Sequence, residues 1–321
     1  TWTPEQGYPL NVVFAIVQSR DGYIYSGTRE GLVRFDGSRF VVFDKSNTEA
    51  LKCNAVRSLY LDRSDRLWVG TLEGGLSCLQ DGEWTTYGVE ENPALKGIRI
   101  ICEDRQGGVW IGTVGNGLTR LQNGRLTTYT TADGLRSSRV HSLLFGRKEN
   151  LWIGTDSGLT KLNPSGKLSR DGDAAGLAGE HVYCLYERKN GDILMSHVTG
   201  LFRVRHDKIL PYRVRGELPD SKVITMTEDS NRNVWAGTDG GGLIRIKEDG
   251  RVETLSIEDG LKCDNIFSLC EDREGSLWIG TLTGGLHRLR DAMFTMVTAK
   301  EGLPHDAVYC IHEDRNGTIR I

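Results

Sequence analysis

The 321-residue chain has no run approaching 18 apolar residues, so it carries no helix long and apolar enough to cross a membrane. No stretch has the 3.6-residue apolar period of an amphipathic helix, which excludes the helical repeats. There is no excess of basic charge: 40 Lys and Arg stand against 43 Asp and Glu, a net of −3, with no basic stripe. A nucleic-acid partner is therefore not expected. No His-x-x-His or His-Glu-x-x-His spacing occurs, so no metal site is expected. No glycine-rich loop follows a strand and opens a helix, so nothing points to a nucleotide cofactor. Cysteine is sparse, and the seven present do not read as a disulfide framework. Cys102 and Cys270 share one position of a repeat, Cys184 and Cys310 another, Cys53 and Cys263 a third. Residues at like positions of neighbouring units lie too far apart to bond, and small buried thiols are the expectation. Cysteine usage leans towards a reducing compartment without deciding it. No segment reads as a signal peptide; the chain begins mid-pattern without Met, which leaves room for one that has been removed.

What is abundant is glycine, 40 residues in regular places, and one phrase: apolar, aromatic, apolar, Gly-Thr. It reads Trp68-Val69-Gly70-Thr71, Trp110-Ile111-Gly112-Thr113, Trp152-Ile153-Gly154-Thr155, Trp235-Ala236-Gly237-Thr238 and Trp278-Ile279-Gly280-Thr281, preceded by Tyr25-Ser26-Gly27-Thr28. The ring position recurs at 25, 68, 110, 152, 194, 235 and 278, a step of 41 to 43 residues, with Leu194 as a weak copy. Such a period denotes a stack of like units, none of which buries its hydrophobic faces alone.

Within one copy, Ile266–Cys270 reads as a short apolar strand and Glu271–Gly275 as a tight turn. Ser276–Gly280 is a second strand, Leu286–Leu289 a third with alternating polarity, and Met293–Val297 a fourth. Four short antiparallel strands per 42 residues describe a propeller blade. The Trp is expected to wedge between blades, and the Gly after it to permit close backbone approach. The fold class is all-β, a seven-bladed β-propeller of four-stranded antiparallel blades; the alternative is eight blades with an incomplete last one. The chain is read as a single domain, 1–321, with seven full repeats over about 11–300. Residues 304–321 begin a further repeat, and 1–7 supply a closing outer strand to the last blade. Whether 304–321 completes an eighth blade or starts a second propeller stays open at this stage.

The phrases Glu103-Asp104-Arg105-Gln106-Gly107-Gly108-Val109-Trp110-Ile111-Gly112-Thr113 and Glu271-Asp272-Arg273-Glu274-Gly275-Ser276-Leu277-Trp278-Ile279-Gly280-Thr281 resemble the two-component regulator propeller repeat. So does the lead-in Gly302-Leu303-Pro304. The likeness covers essentially the whole chain. It departs at Leu194-Met195-Ser196-His197 and at Arg320, which stands where the ring belongs. The resemblance implies a periplasmic input domain of a bacterial membrane sensor. Its output half would be a histidine kinase, a hybrid kinase-regulator or a diguanylate cyclase. It implies further propeller or output domains in the same protein, a polysaccharide breakdown product as ligand, and a chain that binds and transmits without being an enzyme. A homodimer of the full-length receptor is a further expectation.

Ligand residues are sought where the copies differ. One position reads Phe14, Arg57, Arg99, His141, Tyr183, Ile224, Phe267 and Tyr309. The lead-in before it reads Asn11, Asn54, Lys96, Ser138, Glu180, Ser221, Asp264, then Val12, Ala55, Gly97, Arg139, His181, Lys222, Asn265. Positions mixing Arg, His and aromatic residues in an otherwise uniform frame suggest one shared pocket, where rings stack on sugars and Arg, Asn or Asp bond hydroxyls or carboxylates. The expected ligand-binding set is Asn54, Arg57, Arg99, Arg139, His141, His181, Tyr183, His197, Asp264 and Phe267. The neighbouring like charges of Arg57 and Arg99 favour a small acidic ligand, such as an acidic oligosaccharide. No residue is assigned a catalytic role and no cofactor is expected. Two other readings stay open: a protein-interaction propeller, and an enzyme of the streptogramin-lyase type, which would need a His and Glu pair in the channel, with Glu180 and His181 the adjacent candidates.

Overall fold

The computed structural model describes residues 1–2, 8, 11–169, 179–205 and 208–290, together with the backbone of two short strands at 312–313 and 319–320. Seven antiparallel sheets follow one another along the chain. Six have four strands in simple meander order, and the seventh has three strands from the consecutive chain. Their first strands are Val13–Gln18, Val56–Leu61, Ile98–Glu103, Val140–Phe145, Val182–Glu187, Val223–Glu228 and Ile266–Glu271. The second strands are Ile24–Thr28, Leu67–Thr71, Val109–Thr113, Leu151–Thr155, Ile193–His197, Val234–Thr238 and Leu277–Thr281. Every residue of every second strand is buried, because a neighbouring blade covers each of its faces. This is a seven-bladed propeller.

The core is seven wedges, one per blade junction. Trp68 packs on Ile98, Ile101 and Val109 of the next blade, Trp110 on Val140 and Leu143, and Trp152 on Val182 and Leu185. Trp235 packs on Ile266 and Leu277, and Trp278 on Val13 and Ile16, which closes the ring. The expected close approach of the glycine is present. A methyl group on Gly70 would lie 2.3 Å from Ile98 Cγ2, and one on Gly112 would lie 2.5 Å from Val140 Cγ1. In blade five Leu194 is fully buried in a cluster against which Tyr186, Tyr212, Val214 and Leu218 pack. Ser196 takes the glycine position and donates its hydroxyl to the Val223 carbonyl of the next blade at 2.7 Å.

The indoles are anchored as well as packed. In blades two, three, six and seven an aspartate of the preceding turn accepts the Trp Nε1–H at 2.7–2.9 Å: Asp62, Asp104, Asp229 and Asp272. On the same end of the ring, arginines step from blade to blade. Arg63 donates to the Asp104 carbonyl, Arg105 to that of Arg147, Arg147 to that of Lys189, and Arg273 reaches back to the Ser19 carbonyl.

Trp2 forms an antiparallel bridge with Leu286 on the third strand of the last blade and stacks on Trp278 at 5.2 Å. Residues 3–7, the rest of the expected closing strand, lie outside the described residues, as does the expected fourth strand Met293–Val297. The ring belongs to the compact unit Thr1–Leu289. The second unit, Arg290–Ile321, contains one antiparallel pairing of His312–Glu313 with Ile319–Arg320. The six cysteines among the described residues are all free.

Candidate functional site: the channel mouth

Each first strand carries a register irregularity between its first and third residues: Val13/Ala15, Val56/Ser58, Val140/Ser142, Val182/Cys184, Val223/Thr225 and Ile266/Ser268. In blade three the shift falls opposite Gly112/Thr113, leaving Arg99 out of the ladder. The residue skipped is Phe14, Arg57, Arg99, His141, Tyr183, Ile224 or Phe267, the variable position of the sequence. A bulge frees one residue from the pleat and re-aims its side chain. Seven bulges at one height therefore aim seven variable side chains at one axis. All seven line a single cavity of about 460 Å³.

Inside it, the Arg57 guanidinium lies 4.1 Å from the centre of the Phe14 ring, and Phe14 meets Phe267 edge-on at 5.8 Å. His141 stands 6.3 Å from Tyr183, whose ring stacks on His181 at 5.5 Å. Neither Arg57 nor Arg99 has a carboxylate within 4.0 Å among the described residues. Burial pulls both guanidinium pKa values down, and the Arg57 charge adds to the effect on Arg99. Burial, with Arg99 and His181 beside it, pushes His141 down to about 4, so its imidazole is neutral. Both of its nitrogens are buried without a partner among the described residues.

The expected site residues divide into groups. Arg57, Arg99, His141, Tyr183 and Phe267 come together in the cavity, with His181 stacked behind Tyr183. Arg139 sits at the rim, largely exposed, 4.0 Å from Asp156. Asn54 and Asp264 brace loops: Asn54 Oδ1 accepts the Lys45 N–H and Asp264 Oδ1 accepts that of Ile257, each at 2.9 Å. His197 lines a separate cavity between blades five and six. Lining residues outside the expected set include Phe14, Lys222 and Asp239. Phe14 and Lys222 occupy variable positions already singled out. Asp239 follows a Gly-Thr phrase at a position that also varies, with Arg29, Leu72, Val114, Asp156 and Leu282 in other copies, and that variation was its signal. Among the described residues no cluster of three or more His, Cys, Asp or Glu is arranged to hold a metal ion.

Four stretches of the sequence, 50–73, 95–115, 217–240 and 260–283, match the family model for the two component regulator propeller. No curated protein matches this propeller in sequence. It is similar in structure to the extracellular domain of a hybrid two component system from B. thetaiotaomicron, with 22% identity and a TM-score of 0.79 over 91% of this chain and 41% of that one. A second such domain from the same organism gives 18% and 0.72 over 96% and 49%. This chain thus spans under half the length of either. The virginiamycin B lyase of Staphylococcus aureus gives 12% and 0.69 over 87% and 97%. At these identities the likeness establishes the fold, which sensors and lyases share.

Proposed function

We propose that this propeller is the ligand-sensing input domain of a bacterial membrane signalling protein, lying outside the cytoplasm, and that its channel mouth binds a small acidic molecule. An acidic oligosaccharide is the class that fits best. The observation that carries the reading is the set of seven bulged residues around one cavity. Two guanidinium groups without carboxylate partners among the described residues share it with three aromatic rings and the Lys222 ammonium. Burying like charges side by side costs free energy that an anion between them offsets, and the rings offer faces for a sugar to stack on. The match to regulator propeller repeats supports a sensing role over a catalytic one. The lyase-like alternative would need a carboxylate beside a histidine in the channel. Glu180 is exposed, and the carboxylate among the described lining residues is Asp239. The output domain, any further propeller and the receptor's dimer belong to this proposal.

Calorimetric titration of the chain with acidic and neutral oligosaccharides tests it. Arg57→Ala or Arg99→Ala should weaken binding of the acidic ligand by about 1.5–3 kcal/mol, the scale of a charge-assisted hydrogen bond, with little change in Tm. Binding that survives both substitutions at full affinity would move the site elsewhere and favour a protein-binding propeller.

A further inference from the structure

Four blades build the turn between their first and second strands around an aspartate. Its Oδ1 accepts the backbone N–H four residues on, from Arg66, Gly108, Asn233 or Ser276 at 2.7–2.9 Å, and its Oδ2 accepts the indole Nε1–H. Blade four keeps the turn and the indole but has Gly146 in place of the aspartate. The equivalent donors are the Asn150 backbone N–H and the Trp152 Nε1–H, and neither has an acceptor among the described residues. Trp152 is 4% exposed. A methyl group on Gly146 would lie 3.5 Å from Nε1, so the two donors face the place that the carboxylate takes in the sister blades.

Gly146, Asn150 and Trp152 line one cavity of about 270 Å³ between blades four and five. It lies at the far end of the first strand Val140–Phe145 from the channel bulge. Arg147, Lys148 and Arg205 bring three cations to its walls, against the carboxylates of Glu187 and Asp192. Both acids are already paired. Glu187 lies 3.6 Å from the Arg147 guanidinium and accepts the Arg147 N–H at 3.3 Å, and Asp192 lies 3.3 Å from Arg205 and 3.7 Å from Arg203. Blades two and six show that such a glutamate coexists with an anchoring carboxylate. There Glu103 and Glu271 accept the N–H of Arg63 and Ser230, the residues directly after Asp62 and Asp229. Lys161 lies opposite Trp152 in the ladder, 5.2 Å from its ring centre, at the position of Arg120, Arg245 and Arg288 in blades three, six and seven. Two facing donors in a net cationic lining select an oxyanion, and the sister blades show the geometry to be that of a carboxylate. We infer that this cavity binds the carboxylate of a small organic acid, which takes the place of the aspartate and accepts from Trp152 and Asn150. The site is separate from the channel and stands whether or not the channel holds an anion.

The test follows the indole N–H resonances of the full chain in nitrogen–proton correlation spectra, with Trp152 assigned by Trp152→Phe. The chain is titrated with sodium formate or acetate, and in parallel with sodium chloride at the same ionic strength. The carboxylates should shift the Trp152 Nε1–H resonance saturably, and chloride should not. Gly146→Asp, which supplies the carboxylate from the chain itself, should weaken formate binding at least about tenfold. The Arg57→Ala/Arg99→Ala double variant should respond as the parent does. An unmoved Trp152 resonance at tens of millimolar of both acids would overturn the inference, whatever the variants do. So would an equal response to chloride, or full affinity in Gly146→Asp. Loss of the response in the double arginine variant would also overturn it, by placing the anion in the channel.

Discussion

Blade four lacks the aspartate that anchors the indole in four of its sisters, and putting it back should stabilise the ring. In blade three, Asp104 accepts the Gln106 and Gly108 backbone N–H groups at 2.9 and 2.8 Å, the Trp110 Nε1–H at 2.9 Å, and Arg120. Blade four has Gly146 at that place, in the same turn: Gly146 N–H reaches the Asn150 carbonyl at 2.9 Å, as Asp104 N–H reaches that of Gly108 at 2.8 Å. Gly146 holds no positive φ, and an added Cβ would meet nothing closer than 3.5 Å. Lys161 lies 5.2 Å from the Trp152 ring centre, as Arg120 does from that of Trp110. Gly146→Asp should therefore gain a charge-assisted hydrogen bond to the indole, about 1.5–3 kcal/mol. Restricting the unfolded backbone adds about 0.4–1 kcal/mol. Desolvating the carboxylate opposes this, as do Glu187 and Asp192, which line the same cavity of about 270 Å³. The expected net gain is about 1–2 kcal/mol, or roughly 3–6 °C in Tm at about 2–4 °C per kcal/mol for a domain of this size. Thermal and urea unfolding followed by indole fluorescence would measure it. Asp104→Ala is the converse: it strands the indole, two backbone N–H groups and Arg120, and should cost about 3–5 kcal/mol. A lowered Tm for Gly146→Asp with an intact fold would show that the acidic neighbours outweigh the new hydrogen bonds, and the anchoring argument would fail for this blade.

Other outcomes follow from the same geometry. Trp110→Ala should destabilise by about 3–5 kcal/mol in urea titration, as deletion of a buried indole wedge does; a change near zero would refute the wedge role. Gly112→Ala places a methyl 2.5 Å from Val140 and should be among the most damaging small substitutions, whereas Gly115→Ala, with nothing within 4 Å, should be near neutral by the same measurement. His141 is pushed down to about 4 in the folded ring and titrates near 6.5 when unfolded, so the unfolded chain takes up its proton first. The stability it contributes is full above about pH 6.5 and is lost as pH falls towards 4, on the order of 1–3 kcal/mol. His141→Gln should flatten that part of the stability–pH curve, and identical curves for the two proteins would refute the assignment. An anion bound beside His141 should raise its pKa, so binding should take up protons and tighten on acidification; calorimetry in buffers of different ionisation enthalpy would register this.

The sequence by itself determined the blades. A ring and a glycine at a fixed 41- to 43-residue step are local demands of packing, the ring to fill a wedge and the glycine to admit the next blade, and such demands are written into every copy. It also marked the variable position Arg57, Arg99, His141, Tyr183 and Phe267, because a side chain that faces an open channel is free of those demands. What only the tertiary structure decided is how these residues point. The bulges that turn them towards the axis depend on the pairing of two strands, and no residue type announces them. Asn54 and Asp264 stood out because their position varies; in the fold one oxygen of each accepts a backbone N–H seven to nine residues earlier, a partner set by loop closure. His197 was legible as a departure from threonine. Its cavity was not, because that space lies between two blades and comes into being when Leu201 of one and Val223 of the next are brought face to face.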